Sequence, residues 1–230
     1  MQYLPGLSDE KTGKLNIYSE LIHESNKRFN LTGLKTVEEI RLALIKESLI
    51  PFSAINVPRG TLIADIGTGA GIPGIPLCIM LEEAIFTLVD ATLKKIEFIK
   101  DVIKLLGIKN AEAVCGRVEE LGRTGSFRER FTWVTTRAMA DPYMASELGA
   151  PLVKPGGFMY LYASYRQGNL PLEWMNHMSE LGLEELKGIA KQKIMKSECD
   201  GILLAKKQST DIRFPRNIKA IRRGSGIIPC

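Results

Sequence analysis

The chain has 230 residues, of which 45% are hydrophobic and 25% charged, a composition typical of a soluble globular protein with one large domain and room for a small extension. This apolar content argues against intrinsic disorder, and no apolar run approaches the roughly 20 residues that a membrane helix needs. The net charge is +5, but residues 206–230 hold +6 and residues 1–205 only −1, so the basicity is local to the C-terminus.

Residues 8–50 are predicted to be helical. Apolar side chains recur at helical spacing between residues 15 and 22, and again between residues 37 and 45. Thr36 followed by Glu39 has the spacing of a capping box and marks the start of a second helix. Because prolines then interrupt the pattern, we predict that residues 1–58 form a helical extension packed on the core.

From residue 61 onward, short β-rich runs alternate with helical stretches. The predicted strands are Thr61–Ile66, Ile85–Val89, Ala111–Val114, Thr132–Thr136, Phe158–Tyr162 and Ile202–Ala205. The predicted helices are Pro73–Leu81, Leu93–Leu106 and Pro142–Val153. This alternation predicts an α/β fold with a doubly wound, Rossmann-like parallel sheet. We assign the core to residues 59–207 and a basic C-terminal tail to residues 208–230, within a single globular unit.

A glycine-rich turn follows the first predicted strand. In Asp65-x-Gly67-x-Gly69-x-Gly71 an acid precedes three alternating glycines, which let the backbone approach a ligand closely. In a doubly wound sheet this turn lies at the carboxyl edge of the strands, where ligands bind. The acid suits S-adenosylmethionine, whose amino acid moiety is cationic and which has no phosphate. We therefore predict that these four residues bind a methyl donor.

A dinucleotide is the competing cofactor, because Gly69-x-Gly71-x-x-Gly74 also matches the dinucleotide fingerprint. In that register Pro73 lies inside the motif and has no amide to offer a pyrophosphate. The methyl donor is therefore favoured.

Two further acids follow the next predicted strands. Asp90 comes 23 residues after Gly67, close to the spacing at which a carboxylate reaches ribose hydroxyls. Residues 116–120 follow the third strand, where backbone groups and a carboxylate could flank an adenine ring. Both sites also have a structural explanation, because acids stabilise helix N-termini.

Cysteine and histidine are sparse. The four cysteines are far apart without a C-x-x-C pair, and neither histidine has a ligand cluster nearby in sequence, so we expect no disulfide framework and no metal site. The N-terminus lacks the charged and apolar regions of a signal peptide. We expect a cytoplasmic monomer that does not associate with membranes.

With these pieces together, the sequence resembles the bacterial small-subunit ribosomal RNA guanine-N7 methyltransferases of the RsmG (GidB) type. The resemblance spans roughly residues 26–160, in order, over Asn30–Thr32, Asp65–Leu77, Phe86–Asp90, Arg117–Glu120, Thr136–Ala138 and Leu152–Gly157. It implies a class I methyltransferase fold, S-adenosylmethionine as cofactor, S-adenosylhomocysteine as product, and small-subunit ribosomal RNA or the small ribosomal subunit as partner. The implied donor contacts are Gly67, Ile72, Val118, Glu119 and Arg137, with Asp90 at the ribose. The chain departs from the family at Lys46, where a histidine is usual.

The implied target atom also fits the scarcity of histidine. Guanine N7 has an available lone pair and no proton, so in-line displacement needs no general base. Arg137 follows an apolar strand, so we expect it to point into the cleft and to orient guanine O6 or the donor carboxylate.

An RNA substrate requires phosphate contacts, which clustered cations supply. The candidates at the end of the first helix and in the tail are Lys27, Arg28, Arg216, Lys219, Arg222 and Arg223. Two other functions stay open, namely a methyltransferase acting on a small molecule or protein, and a nucleotide- or RNA-binding module without turnover.

Overall fold

A seven-stranded sheet lies at the centre of the computed structural model, which describes residues 3–53, 55–162, 171–195 and 201–224. Its strands are β1 (Leu62–Ile66), β2 (Ile85–Asp90), β3 (Ala111–Cys115), β4 (Phe131–Arg137), β5 (Val153–Tyr162), β6 (Leu183–Leu186) and β7 (Ile202–Lys206). The spatial order is β3-β2-β1-β4-β5-β7-β6. The five strands β1 to β5 pair in parallel, whereas β7 runs antiparallel to both β5 and β6.

Helices cover both faces of this sheet. They are α1 (Asp9–Asn26), α2 (Val37–Glu39), α3 (Glu47–Leu49), α4 (Gly74–Met80), α5 (Leu93–Leu105), α6 (Val118–Leu121), α7 (Pro142–Gly149), α8 (Leu172–Glu180), α9 (Gly188–Met195) and α10 (Ile218–Gly224). A π-helical segment, Ile40–Lys46, joins α2 to α3. The predicted capping box is confirmed, because the Thr36 hydroxyl accepts from the Glu39 amide while the Glu39 carboxylate accepts from the Thr36 amide.

Alternate residues of the central strands point to opposite faces, as the pleat requires. Trp133 faces a cluster that also contains Tyr18 and Leu49 of the N-terminal helices. Its neighbour Val134 faces a second cluster, which is formed with α7 and α8 and includes Phe214 of the tail. The N-terminal helices and the described part of the tail therefore pack against the sheet.

The predicted α/β class is confirmed, with two additions at one end of the sheet. The strand β6 was not predicted, because two of its four residues are acidic and the segment lies at an edge. The antiparallel direction of β7 was not predicted either, since strand–helix alternation alone implies a parallel sheet. Residues 163–170, 196–200 and 225–230 lie outside the described residues, so the last part of the predicted tail is not described.

The carboxyl ends of β1 to β4 meet along one edge of the sheet. There the chain presents the turn that begins at Gly67, the side chain of Asp90, the loop at Gly116 and the side chain of Arg137. The fold thus brings together four segments that are far apart in sequence.

Candidate functional site

The glycine turn after β1 has a backbone that only glycine adopts without strain. Gly67, Gly69 and Gly71 have φ angles of 65°, 60° and 95°, in the region that L-residues avoid. The turn is tied to β2 by a bond of 2.9 Å from the Thr68 amide to the Val89 carbonyl, and it leads into α4.

Neighbouring side chains occupy the space that a Cβ at Gly67 or Gly71 would need. A Cβ at Gly71 would lie 2.7 Å from Ile75 Cγ1 and 3.0 Å from the hydroxyl of Tyr18, and a Cβ at Gly67 would overlap the side chain of Met139. Met139 thus lies directly over the first glycine. Gly67 and Gly71 are therefore packed against side chains of the protein itself, whereas a Cβ at Gly69 would have open space around it.

Asp65 lies beneath the turn and supports it, which corrects the prediction of a direct donor contact. It is fully buried. One carboxylate oxygen accepts from the Thr68 hydroxyl (2.5 Å) and the Gly74 amide (2.9 Å), and the other accepts from the Thr135 hydroxyl (3.1 Å). Burial raises the pKa of Asp65 to about 7, although these hydrogen bonds favour the ionised form. Its oxygens therefore point to the protein interior.

Asp90 stands beside the turn at the end of β2. One carboxylate oxygen accepts from the Gly69 amide (3.0 Å), and the other accepts from the Thr92 amide (2.8 Å) at the start of α5. The side chain is almost buried, and Lys95 lies 3.8 Å away. A carboxylate has about four acceptor positions, so Asp90 can still accept from sugar hydroxyls while holding the turn.

The loop after β3 is attached to the same point. The Gly116 amide donates to the Asp90 carbonyl (3.0 Å), and α6 begins two residues later at Val118. Val118 is buried, whereas Glu119 is partly exposed and lies 3.7 Å from Arg117. Asp90, Val118 and Glu119 thus lie along adjacent strand ends.

Arg137 does not extend freely into the cleft, contrary to the prediction. Its guanidinium donates to the Ala43 carbonyl (2.6 Å) and the Leu44 carbonyl (3.4 Å) and pairs with Glu47 (2.9 Å). It therefore fastens the end of β4 to the π-helical segment and α3. Lys46, the departure from the family pattern, is the last residue of that segment.

Several residues of the site were not recognised in the sequence. Thr135 supports Asp65 because β1 and β4 place the two residues opposite each other, and Tyr18 contacts the turn from the N-terminal helix. Thr136, the next residue of β4, is buried, and its hydroxyl has no partner among the described residues. Local sequence around Tyr18 gives no sign of its role, since its partner lies 52 positions away.

Arg216 was predicted to bind RNA but is committed to an internal ion pair. Its guanidinium binds both oxygens of Glu147 at 2.6–3.1 Å, and Glu147 is fully buried on α7. His177 Nε2 lies 3.1 Å from the same carboxylate. Burial alone would raise the pKa of Glu147, but His177 and Arg216 outweigh it and lower the pKa to about 2. We therefore remove Arg216 from the residues predicted to bind RNA.

The remaining predicted cations are exposed. Lys27 pairs with Glu24 at 2.7 Å, and Arg28 lies beside it at the end of α1. The other three are on α10 and are Lys219, Arg222 and Arg223.

Within the described residues, no group of three or more His, Cys, Asp or Glu side chains could hold a metal ion. None of the described helices has the length and apolarity needed to cross a membrane.

Comparison with known proteins identifies a matching protein family. The model of the GidB family, described as rRNA small subunit methyltransferase G, matches residues 11–193. A Clostridium perfringens (strain 13) protein named ribosomal RNA small subunit methyltransferase G is 32% identical over 213 residues, covering 91% of this chain and 88% of that protein. Its namesake from Desulfitobacterium hafniense (strain Y51) is 35% identical over 212 residues, covering 91% and 87%.

A solved structure supports the fold independently. A SAM-dependent methyltransferase from Aquifex aeolicus superposes with a TM-score of 0.50 at 17% sequence identity, covering 72% of this chain and 92% of that one. At this level of identity the likeness concerns the arrangement of strands and helices.

Proposed function

The chain belongs to the rRNA small subunit methyltransferase G family, and we propose that it methylates ring nitrogen N7 of a guanine in small-subunit ribosomal RNA. The enzyme class, an S-adenosylmethionine-dependent methyltransferase, follows from the family and the fold. The specific atom, the residues that bind donor and RNA, and the division into residues 1–58, 59–207 and 208–230 are proposals.

The observation that supports the donor site best is the glycine turn with Asp90 beside it. The residues present fit the donor, because Gly69 leaves open space beside the backbone of the turn and Asp90 retains acceptor capacity for the ribose. We assign the donor contacts to Gly67, Gly69 and Ile72 of the turn and to Val118 and Glu119 on the adenine side. Gly71 and Asp65 hold the turn in shape from within.

The reaction requires positioning rather than proton transfer. When bound, S-adenosylmethionine supplies an electrophilic methyl group on a sulfonium that is already a good leaving group. Guanine N7 has no proton to lose, so the protein needs no general base. Orientation of two reactants alone is worth about 7–11 kcal/mol at best, and the fixed strand ends of β1, β2 and β4 provide a rigid frame for it.

Arg137 takes a different role from the one predicted. Since its guanidinium grips the carbonyls of Ala43 and Leu44, we propose that it holds the π-helical segment against the catalytic edge. Thr136 lies at the same strand end, and its buried hydroxyl has no partner among the described residues. We therefore propose that Thr136, rather than Arg137, hydrogen-bonds a group of the substrate or donor in the cleft.

The RNA-binding surface is proposed to include α10. Arg216 pins the chain to α7 through Glu147, and its guanidinium also lies 3.3 Å from the hydroxyl of Tyr143, in the first turn of α7. Helix α7 starts five residues after Arg137, so its first turn is at the carboxyl edge of the sheet. The cations of α10, which begins two residues after Arg216, are therefore held close to the catalytic edge.

The decisive experiment supplies labelled S-adenosylmethionine to small ribosomal subunits and to their naked RNA, both from cells that lack the modification. We expect label in one 7-methylguanosine of the RNA. Label in another base, or in a small molecule or protein instead, would refute the N7 assignment. A donor-binding module without turnover would give no label under any condition.

RNA contact by α10 is tested with a matched pair of triple variants. Lys219, Arg222 and Arg223 are replaced by alanine in one, and the exposed lysines Lys94, Lys100 and Lys104 of α5 in the other. For single-stranded RNA, loss of three phosphate contacts lowers the slope of log affinity against log salt by about 2. Equal slopes for the two variants would place the RNA elsewhere.

We further propose that the chain acts as a cytoplasmic monomer. Among the described residues, the exposed large apolar side chains are spread over several elements, for example Ile17, Leu93 and Ile212, and scattered apolar side chains on a surface need no partner. Light scattering during gel filtration would detect a dimer.

A further inference from the structure

The hydroxyl of Tyr18, on the N-terminal helix, contacts the glycine turn. It donates to the Ala70 carbonyl at 2.8 Å, and the tyrosine is fully buried. From this contact we infer that Tyr18 is a positioning residue that keeps the turn in its donor-binding shape; the inference rests on the proposed donor site. The N-terminal helix α1 would thus be part of the donor site without touching the donor.

The contact fixes a peptide carbonyl that lies between two glycines. Ala70 is flanked by Gly69 and Gly71, which adopt positive φ angles, and the absence of a Cβ in glycine gives the backbone on either side unusual freedom. A buried carbonyl without a donor is costly, so loss of the hydroxyl would drive the Ala70 peptide to rotate toward another partner. The turn would then populate several shapes instead of one.

The tyrosine fits only because a glycine faces it. A Cβ at Gly71 would lie 3.0 Å from the Tyr18 hydroxyl, so the ring and the turn are complementary in shape. Burial raises the pKa of Tyr18 well above its ordinary value of 10.0, so the hydroxyl keeps its proton and donates.

Helix α1 is also fixed at the far end of α4. Lys11 donates to the Met80 carbonyl at 3.1 Å and pairs with Glu82 at 3.2 Å. Lys11 and Tyr18 are two helical turns apart, so α1 spans α4 from its last residue to the turn that precedes it. The tyrosine is therefore held in place by a helix that cannot easily shift along its axis.

The test compares Tyr18→Phe with Tyr3→Phe. Tyr3 is also buried, and its hydroxyl donates to Asn16 of α1 at 3.0 Å in a partly buried hydrogen bond, so both variants lose one tyrosine hydrogen bond that involves α1. Only Tyr18 contacts the turn. We expect S-adenosylhomocysteine to bind about tenfold more weakly to Tyr18→Phe, as it would if only about a tenth of the molecules kept the competent turn.

The kinetic signature separates positioning from loss of stability. We expect KM for the donor to rise about tenfold in Tyr18→Phe while kcat at saturating donor changes less, and both constants to stay at the wild-type values in Tyr3→Phe. Assays are run below the unfolding temperature of both variants. Equal donor affinity in the two variants and the wild type would overturn the inference, whereas a wild type that binds no S-adenosylhomocysteine would overturn the proposed function itself.

The wild type offers a second measurement that needs no substitution. Coupling between two sites is reciprocal, so a donor that favours the ordered turn must also favour the docked α1. We expect amide hydrogen exchange within Asp9–Asn26 to slow when S-adenosylhomocysteine is added. Unchanged exchange in α1, together with slowed exchange in the turn, would contradict the coupling.

Discussion

Replacing Asp65 by asparagine should remove a pH dependence of stability. Burial raises the pKa of Asp65 from its ordinary value of 3.8 to about 7, so between these values the folded chain binds a proton that the unfolded chain does not. The free energy of unfolding must then fall as pH rises through this window. Asparagine has nearly the same shape, keeps an oxygen for the Gly74 amide, and cannot ionise.

The size of the effect follows from the two pKa values. At about 1.36 kcal/mol for each pH unit, their separation corresponds to at most about 4 kcal/mol. About 3 kcal/mol of this falls between pH 5 and pH 8, because part of the loss is complete below pH 5. Other titrating groups are common to both proteins and cancel when the two are compared.

The assay is urea unfolding at pH 5 and pH 8, followed by the fluorescence of the buried Trp133 and Trp174. From pH 5 to pH 8 the wild type should lose about 3 kcal/mol more than Asp65→Asn. Asp101→Asn, an exposed change on α5, should behave like the wild type. Parallel pH profiles for the wild type and Asp65→Asn would refute the assignment of a buried carboxyl that resists ionisation.

Two further substitutions test the turn and the tail. Gly67→Ala should weaken donor binding at least tenfold, since a φ of 65° costs about 1–2 kcal/mol for an L-residue and the new Cβ overlaps Met139. Gly107→Ala is the control, because Gly107 has a φ of 64° and open space around an added Cβ, so this substitution introduces backbone strain without a clash. Unchanged donor binding in both variants would contradict a role for Gly67. Arg216→Ala should lower the free energy of unfolding in urea at pH 7 by about 3 kcal/mol, because it removes the guanidinium that pairs with the buried Glu147 carboxylate and leaves only His177 beside it. A loss below about 1 kcal/mol would instead indicate an ordinary surface pair.

The parts of the fold that could be predicted from the sequence are those whose determinants are local. Strands β1 and β2 are buried on both faces, so each is a nearly continuous apolar run that ends at a recognisable turn. The capping box at Thr36 and the glycine turn are likewise specified within a few residues. Strand β6 is different, because its four residues, Leu-Glu-Glu-Leu, do not alternate and are too few to distinguish a strand from a helix.

The roles of Asp65 and Arg137 could not be predicted, because the partners of each are distant in sequence. The Thr135 hydroxyl reaches Asp65 across 70 positions, through the register of β1 and β4, and Arg137 reaches Ala43 across 94. An acid before a glycine turn can equally face a ligand or face the interior, and the residue types alone do not distinguish these cases. The register of the sheet decides between them.

The C-terminal tail shows why a count of charges overstates an RNA-binding surface. Lys206 contributes to the local charge of +6, yet it is buried in β7 with its amine on the Ala150 and Leu181 carbonyls. The guanidinium of Arg216 is paired with the carboxylate of Glu147. Glu147 lies 69 positions upstream, so its negative charge is not included in the local charge of residues 206–230. Phosphates meet only the charge that remains at the surface, so RNA affinity should depend on Lys219, Arg222 and Arg223 of α10. Lys206 and Arg216 are used inside the protein, and the exposed cations of α10 are the ones proposed to contact RNA.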